Sequence, residues 1–312
     1  MKNIPRTKET RLHVSQPEIL IQFLQSKMGG MTHNSVRLML SRRQVSVNGV
    51  IVTRFDHQLQ KDDMVVVTTG VVAKEMTHPK LRVVYEDDYI VVVEKKQGLL
   101  TVATYNGSRE VTCFSLLKSY VRQKNARAGI YVVHRLDRET SGLLVFAKSE
   151  ELQHYMRDYW RELVKKRTYV AIAEGKFNKP EGKITTWLTE DEETKMVYSS
   201  PVDDGGKKAV TNYKVIDFTD AEGDNTMPIS LVELNLETGR KNQIRVHLAG
   251  IGHPIVCDRK YGSGTELPLD RLALHARVLE FIHPVTEETL HFETPIPREF
   301  LRLFKNTKGL QM

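Results

Sequence analysis

The chain predicts an α+β fold, a large and mostly antiparallel sheet with few helices, preceded by a small α/β module. Three observations predict it. After residue 166 nearly every segment is a β-branched run closed by a short turn, as in "RTYVAIAEG", "GKITTWLT", "KAVTNYKVIDF" and "ISLVELNLET". Strands joined by short turns pair antiparallel, because a parallel pair needs a long crossover. Helical periodicity is confined to a few stretches. The hydrophobic pattern also changes character beyond the punctuated segment "TGVVAKEMTHPK".

In chain order, residues 1–16 are polar and basic and are expected to form a flexible tail. Residues 17–68 read as a compact module. "PEILIQFLQSK" sets Pro17 at a helix start and Ile19, Leu20, Phe23 and Leu24 at helical spacing. "NSVRLMLSRRQ" reads as a second helix with Asn34 or Ser35 as its cap. In "VSVNGVIV" the Asn48–Gly49 pair between β-branched runs predicts a two-residue hairpin, and "KDDMVVVTT" a closing strand. Residues 69–80 are expected to be a linker, with Gly70 and Pro79 as punctuation. Residues 81–312 form the second domain. There "LRVVYEDDYIVVVEK" reads as strand, acidic turn, strand, and "VTCFSLLKSYVRQK" as a helix. "SEELQHYMRDYWRELV" is a further helix, with Leu152, Met156, Tyr159 and Leu163 in one apolar stripe and Ser149 as cap.

Composition narrows the function. The 312 residues are 40% apolar, which suffices for a real core. No window of about 18 apolar residues offers a membrane span. "MKNIPRTKETRLHVSQ" lacks the apolar stretch of a secretory signal, and Cys113 and Cys257 form no CxxC pair. A reducing, cytoplasmic setting is therefore expected. His247, His253, His275 and His283 lack metal-ligand spacing such as HExxH, so no metal and no cofactor is expected. The net charge of +7 favours a polyanionic partner. A monomer is expected.

The stretch "YVVHRLDRETSGLLVFAK", residues 131–148, carries the chemistry. Two apolar runs, Tyr131–Val133 and Leu143–Ala147, read as buried strands, and between them stand His134, Arg135, Asp137, Arg138 and Glu139. A plain turn needs only Gly, Asn or Ser and is much shorter. An aspartate in such a loop is ionised at neutral pH, since the reference carboxyl titrates near ~3.9. An ionised carboxylate needs no partner base to activate it, unlike a serine. His134 at a strand end reads as a hydrogen-bonded structural residue, not a base.

This loop resembles the signature "H-R-L-D-x-x-T-S-G-L" of the RluA-type pseudouridine synthases, with every defined position present. "VVYEDDYIVVVEK", "KRTYVAIAEG", "LETGRKNQIRVHL", "HPIVCDRKYG" and "LALHARVLEFIHP" follow the family's order across most of residues 81–297. The resemblance implies conversion of uridine to pseudouridine in RNA. It implies Asp137 as the catalytic residue, Arg245 as its partner and Tyr169 as a lining of the uracil pocket. It also implies Arg135 as the side chain that takes the place of a flipped nucleotide, with Arg240 beside the substrate. Attack at C1′, attack at C6 and removal of the 2′-proton are open alternatives for Asp137. Two positions depart from the pattern: Asn242 where histidine is usual, and Gln97 in place of the common "K-P-x-G" wording. An essential titrating role at 242 is therefore not expected.

Residues 17–68 resemble the S4 RNA-binding module, anchored on "RQVSVNGVIV", with Gln44 where glycine is usual. That resemblance implies RNA contacts from Arg37, Arg42 and Arg43. The expected partner is RNA, ribosomal large-subunit RNA first and transfer RNA second. Rival classes fare worse. "HRLDRETSG" differs from a kinase catalytic loop by an extra leucine, and no glycine-rich phosphate loop precedes it. A hydrolase using Asp137 and Glu139 needs both carboxylates on one face. A non-catalytic S4-type protein with a dead synthase domain would be signalled by loss of Asp137, Arg245 or Tyr169, and all three are present.

Overall fold

In a computed structural model of the chain, the fold is described for residues 8–41, 44–69, 76, 78–103, 110–220, 227–262 and 269–304. It divides into two units: residues 1–77 with 118–128, and residues 78–117 with 129–312.

The first unit runs β1 (Lys8–His13), β2 (Glu18–Ile19), α1 (Leu20–Lys27), α2 (His33–Ser41), β3 (Val45–Val47), β4 (Val50–Ile51), β5 (Gln58–Leu59) and β6 (Met64–Thr69). Its main sheet has the order β1-β6-β3-β4. Asn48 (φ 51°) and Gly49 (φ 81°) supply the two positive φ angles that a two-residue hairpin needs. Leu20, Phe23, Leu24, Val36, Leu40, Val45, Val65 and Val67 fill the core between helices and sheet.

Three sequence expectations change here. Residues 8–13 belong to no loose tail, because they pair antiparallel with β6 and satisfy its open edge. The first helix starts at Leu20, not at Pro17, since Glu18 and Ile19 are extended against Leu59 and Gln58. Thr32, not Ser35, caps α2: its Oγ1 accepts the Ser35 N–H at 3.2 Å, and the Asn34 side chain lies outside the described residues. Arg37 is exposed. Arg42 and Arg43 lie outside the described residues, as do residues 70–75 and 77 of the expected linker.

The second unit contains β7 (Leu81–Glu86), β8 (Ile90–Lys95), the start of α3 (Cys113–Lys124), β9 (Tyr131–Val132), β10 (Ser141–Ala147), α4 (Glu150–Asp158) and α5 (Trp160–Leu163). There follow β11 (Val164–Glu174), β12 (Glu181–Glu190), β13 (Val197–Ser200), β14 (Lys207–Thr219), β15 (Ile229–Leu236), α6 (Gln243–Gly250), β16 (Leu274–Ile282), β17 (Thr289–Glu293) and α7 (Arg298–Leu301). The strands form one sheet in the order β13-β12-β14-β15-β11-β16-β10-β8-β7, with β17 beside β16 and β9 beside β10. The expected α+β, mostly antiparallel architecture is what the chain adopts. No described helix is long and apolar enough to cross a membrane.

Two details of the helical reading are refined. Ser149 caps α4, accepting the Leu152 N–H at 3.2 Å. The apolar stripe, however, breaks at Tyr159, which ends α4, is 52% exposed and packs on Tyr155 instead. The expected strand at 131–133 is only two residues long and half-buried, whereas β10 is buried throughout.

One pairing departs from the antiparallel rule and positions everything that follows. β10 and β16 run parallel, with Ser141 opposite His275 and Gly142 opposite Ala276. Gly142 has φ +117°, and a Cβ there would lie 2.1 Å from the Ala276 carbonyl oxygen. Only glycine accepts both the angle and the approach. The buried guanidinium of Arg271 donates to Ser141 Oγ at 2.9 Å and to the Gln97 side chain at 2.9 Å, while His275 Nδ1 shares a proton with Ser141 Oγ at 2.7 Å. Burial, helped by Arg271 and Arg277, pulls the His275 titration down to about 3, so this histidine is a neutral structural link. Gly142→Ala is expected to cost about 3 kcal/mol or more, from strain plus overpacking. Urea unfolding followed by circular dichroism measures it, and a change within about 0.5 kcal/mol would refute the close approach.

Candidate active site

The loop between β9 and β10 carries Asp137, and several independent hydrogen bonds fix its backbone. Thr101 Oγ1 donates to the Leu136 carbonyl at 2.8 Å and accepts the Leu136 N–H at 3.2 Å. The Arg138 carbonyl accepts from the Gly98 N–H at 2.9 Å and from Lys95 Nζ at 2.9 Å. Lys95 is fully buried and also donates to the carbonyls of Leu99 at 2.8 Å and Lys96 at 3.1 Å. A buried ammonium survives because its three protons meet three carbonyl oxygens. Burial still drives its titration down to about 8.

His134 holds the same loop to the sheet. Its Nε2 accepts the Val145 N–H at 3.1 Å, and its ring packs on Trp160 with centroids 4.8 Å apart. Burial first, then Arg167, pushes it down to about 3, so it is neutral and occupied with structure. Arg138 forms a two-toothed ion pair with Glu110. The charges of the loop thus have separate duties.

Asp137 faces a cleft of about 980 Å³. Its side chain is 34% exposed, and its Oδ2 accepts one hydrogen bond, from Arg245 Nη1 at 3.3 Å. Arg245 projects from α6. Its stronger partner is Asp258, which accepts from Nε and Nη2 at 2.7 Å each and is itself 0% exposed. Burial disfavours the Arg245 charge, yet the hydrogen bonds and charge of Asp258, with Asp137 behind them, hold the guanidinium above its ordinary range. Burial likewise opposes the Asp258 charge but is outweighed by Arg245 and by the N–H groups of Lys260 and Tyr261, and its carboxyl titrates below the usual range.

The other sequence candidates are placed as follows. Tyr169, on β11, lines the cleft, and burial raises its phenol, so it is neutral there. Arg135 is exposed on the cleft wall. Arg240 also lines it, donating from Nε to the Lys208 carbonyl at 3.1 Å. Asn242 has φ 54°, a left-handed conformation that asparagine tolerates better than most residues. Its Oδ1 accepts from Arg245 Nη1 at 3.3 Å, and its Nδ2 donates to the Tyr261 hydroxyl at 3.1 Å. Gln97 accepts from Arg271, and Gly98 (φ +75°) makes the turn. Arg37 lies in the first unit.

Sequence reasoning missed Lys95, Thr101 and Asp258. Lys95 gave one faint signal, since it shares strand parity with the buried Val91 and Val93. Nothing local in "HPIVCDRKYG" reveals that Asp258 meets an arginine on α6. The basic wall was missed as well: Arg157, Arg161, Lys165, Lys166, Arg167 and Lys208 all line the cleft.

A family model described as RNA pseudouridylate synthase matches residues 89–250. The chain is 38% identical over 229 residues to the uncharacterized RNA pseudouridine synthase YhcT of Bacillus subtilis, covering 72% of this chain and 71% of that one. It is 32% identical to the B. subtilis protein YlyB, described in the same words, over 93% of this chain and 94% of the other. It is 31% identical to the ribosomal large subunit pseudouridine synthase D of Nitrosomonas europaea, over 96% and 85%. Among solved structures, human RNA pseudouridylate synthase domain containing 1 superposes with a TM-score of 0.55 at 25% identity, covering 71% of this chain and 85% of that one.

The Lys95 cage yields a signed prediction. Unfolded Lys95 holds its proton to about 10.5 and the folded residue only to about 8. Between these values the unfolded state binds more protons, so wild-type stability should gain on that of Lys95→Met as pH rises through the window. Below it, both states are protonated and the gap is constant. Urea unfolding of both proteins at pH 7.5, 9 and 10.5 tests this, and a pH-independent difference would mean that Lys95 is not buried as the ammonium.

Proposed function

The chain belongs to the RNA pseudouridylate synthase family, and from that premise we propose that it isomerises uridine in large-subunit ribosomal RNA, with Asp137 starting the reaction. Pseudouridine synthesis is the activity. The RNA target and the residue roles are our reading. The observation that carries them is a carboxylate at a basic cleft with one oxygen on a single arginine hydrogen bond. Its other oxygen, Oδ1, has no hydrogen bond among the described residues.

In the reaction the bond from ribose C1′ to uracil N1 breaks and a bond from C1′ to C5 forms. The proton leaves C5 and N1 gains one, so substrate and product are isomers and no redox partner enters. Asp137 supplies the negative charge that drives separation, and Arg245 fixes its direction. Tyr169 offers a neutral aromatic wall for the detached uracil. Its desolvated phenol keeps a second negative charge away from Asp137.

A uridine within folded RNA would reach this cleft by leaving its stack, and we assign the exposed Arg135 to fill the gap; its position on the cleft supports this. Arg240, Lys208 and the lysines that open β11 face the backbone phosphates. The relation to a ribosomal large subunit synthase, together with this basic wall, supports ribosomal RNA as the substrate. We also read residues 17–68, extended by β1, as an S4-like RNA-binding module, with residues 69–80 as its linker and residues 81–312 as the catalytic domain. The two helices, the hairpin and the exposed Arg37 support this, and Arg42 and Arg43 belong to the same reading.

Asp137→Asn should lower tritium release from C5-labelled uridine in RNA by more than about 1,000-fold, with RNA affinity unchanged or raised. Retained turnover would remove Asp137 from its role. Mapping pseudouridine across total RNA from cells with and without the gene separates ribosomal from transfer RNA targets. For the module, Arg37→Ala should reduce the slope of log K against log salt by about 0.7 to 0.9 on long structured RNA. An unchanged slope in fluorescence anisotropy would place Arg37 off the RNA.

A further inference from the structure

We propose that Asp258 is a positioning residue, which takes the Nε/Nη2 edge of Arg245 so that only Nη1 reaches Asp137. The inference deepens the proposed function and rests on its assignment of Asp137. A guanidinium prefers to meet a carboxylate through two parallel hydrogen bonds. Two carboxylates compete for Arg245, and the distances decide between them. Asp258 receives both bonds at 2.7 Å, Asp137 one at 3.3 Å.

The cause is local. The helix α6 directs Arg245 toward the turn at 258–262, where the Asp258 Oδ1 also accepts the N–H groups of Lys260 at 2.9 Å and Tyr261 at 3.0 Å. The Gly262 N–H closes the turn on the Asp258 carbonyl at 2.8 Å, and a Cβ on Gly262 would lie 2.5 Å from that oxygen. The Tyr261 ring packs 5.1 Å from the guanidinium carbon and closes the remaining side. The carboxylate of Asp258 is therefore held by the turn as well as by Arg245.

The consequence concerns reactivity. An aspartate gripped by both arms of a buried arginine has both oxygens engaged and is a poor nucleophile or base. With Asp258 holding the fork, Asp137 is oriented by one bond and keeps Oδ1 for the substrate. Asp258 also keeps Arg245 in place when the Asp137 charge is consumed during turnover, since the arginine retains its counter-ion.

The test uses the full-length chain and C5-tritiated RNA. Asp258→Asn keeps an oxygen for the turn N–H groups but sets an NH2 against Arg245 Nε–H, so the fork is lost. The single-turnover rate at saturating RNA should fall about 100-fold, with RNA affinity by anisotropy within about twofold of wild type. Asp258→Glu, which restores the charge, should recover at least about tenfold of that loss. A purely structural role predicts instead that rate, affinity and melting temperature fall together. A rate for Asp258→Asn within threefold of wild type overturns the proposal, as does a folded Asp258→Glu no faster than Asp258→Asn. If Asp258→Asn does not fold, the Glu variant decides: at or above a tenth of the wild-type rate with unchanged affinity it supports the proposal, and below that rate while folded it refutes it. Activity in Asp137→Asn would bring down the parent reading separately, whatever the Asp258 variants do.

Discussion

The close parallel approach of β10 to β16 is the constraint on which the site depends. Each half of the large sheet is antiparallel, and the halves meet where Ser141 and Gly142 lie against His275 and Ala276. A side chain at 142 would hold the strands apart, so the end of the charged loop has a single place to go. Arg271, Ser141, His275 and Thr294 then lock the seam with buried hydrogen bonds, His275 Nε2 meeting Thr294 Oγ1 at 2.9 Å. A fully satisfied buried network of this kind specifies one register, which a purely apolar seam would leave free to slip.

From that seam the loop reaches into the cleft, and its density of charge acquires an explanation. Asp137 and Arg135 are the loop's charged side chains that line the cleft. Arg138 is spent on Glu110, and neutral His134 on the Val145 amide. The backbone of the loop is gripped from below by Thr101, Gly98 and the ammonium of Lys95. Holding a loop by its carbonyls leaves its side chains free for substrate, which a grip through those side chains would not.

The legible part of the chain was what repeats or stays local. β-Branched runs gave the strands, Asn48–Gly49 gave the hairpin, and the loop's wording led to Asp137. Asn48–Gly49 succeeded because a turn with two positive φ angles narrows the choice of residue to very few. What escaped was pairing at long range. β1 joins β6 across more than fifty positions of sequence, and a polar six-residue strand looks like a tail when its partner is unseen. Asp258 and Lys95 escaped for the same reason. A carboxylate and an ammonium read as solvated until the fold brings a guanidinium or three carbonyls to them.

The arrangement also separates two electrostatic tasks that one arginine could not perform together. Asp258 cancels the charge of Arg245 at short range, so this pair offers Asp137 a directed donor with little net field. Attraction of a polyanion then falls to Arg135, Lys208, Arg240 and the basic residues from Arg157 to Arg167, which also line the cleft. Were Arg245 unpaired, its full charge in a partly desolvated site would attract an anion to the place where the proposed function seats a uracil. With the pair neutral and Tyr169 uncharged, our proposed reading seats a flat, uncharged base at Asp137 and the backbone that carries it along the basic residues. On the proposed function, this division of charge would orient the nucleotide before any bond is broken.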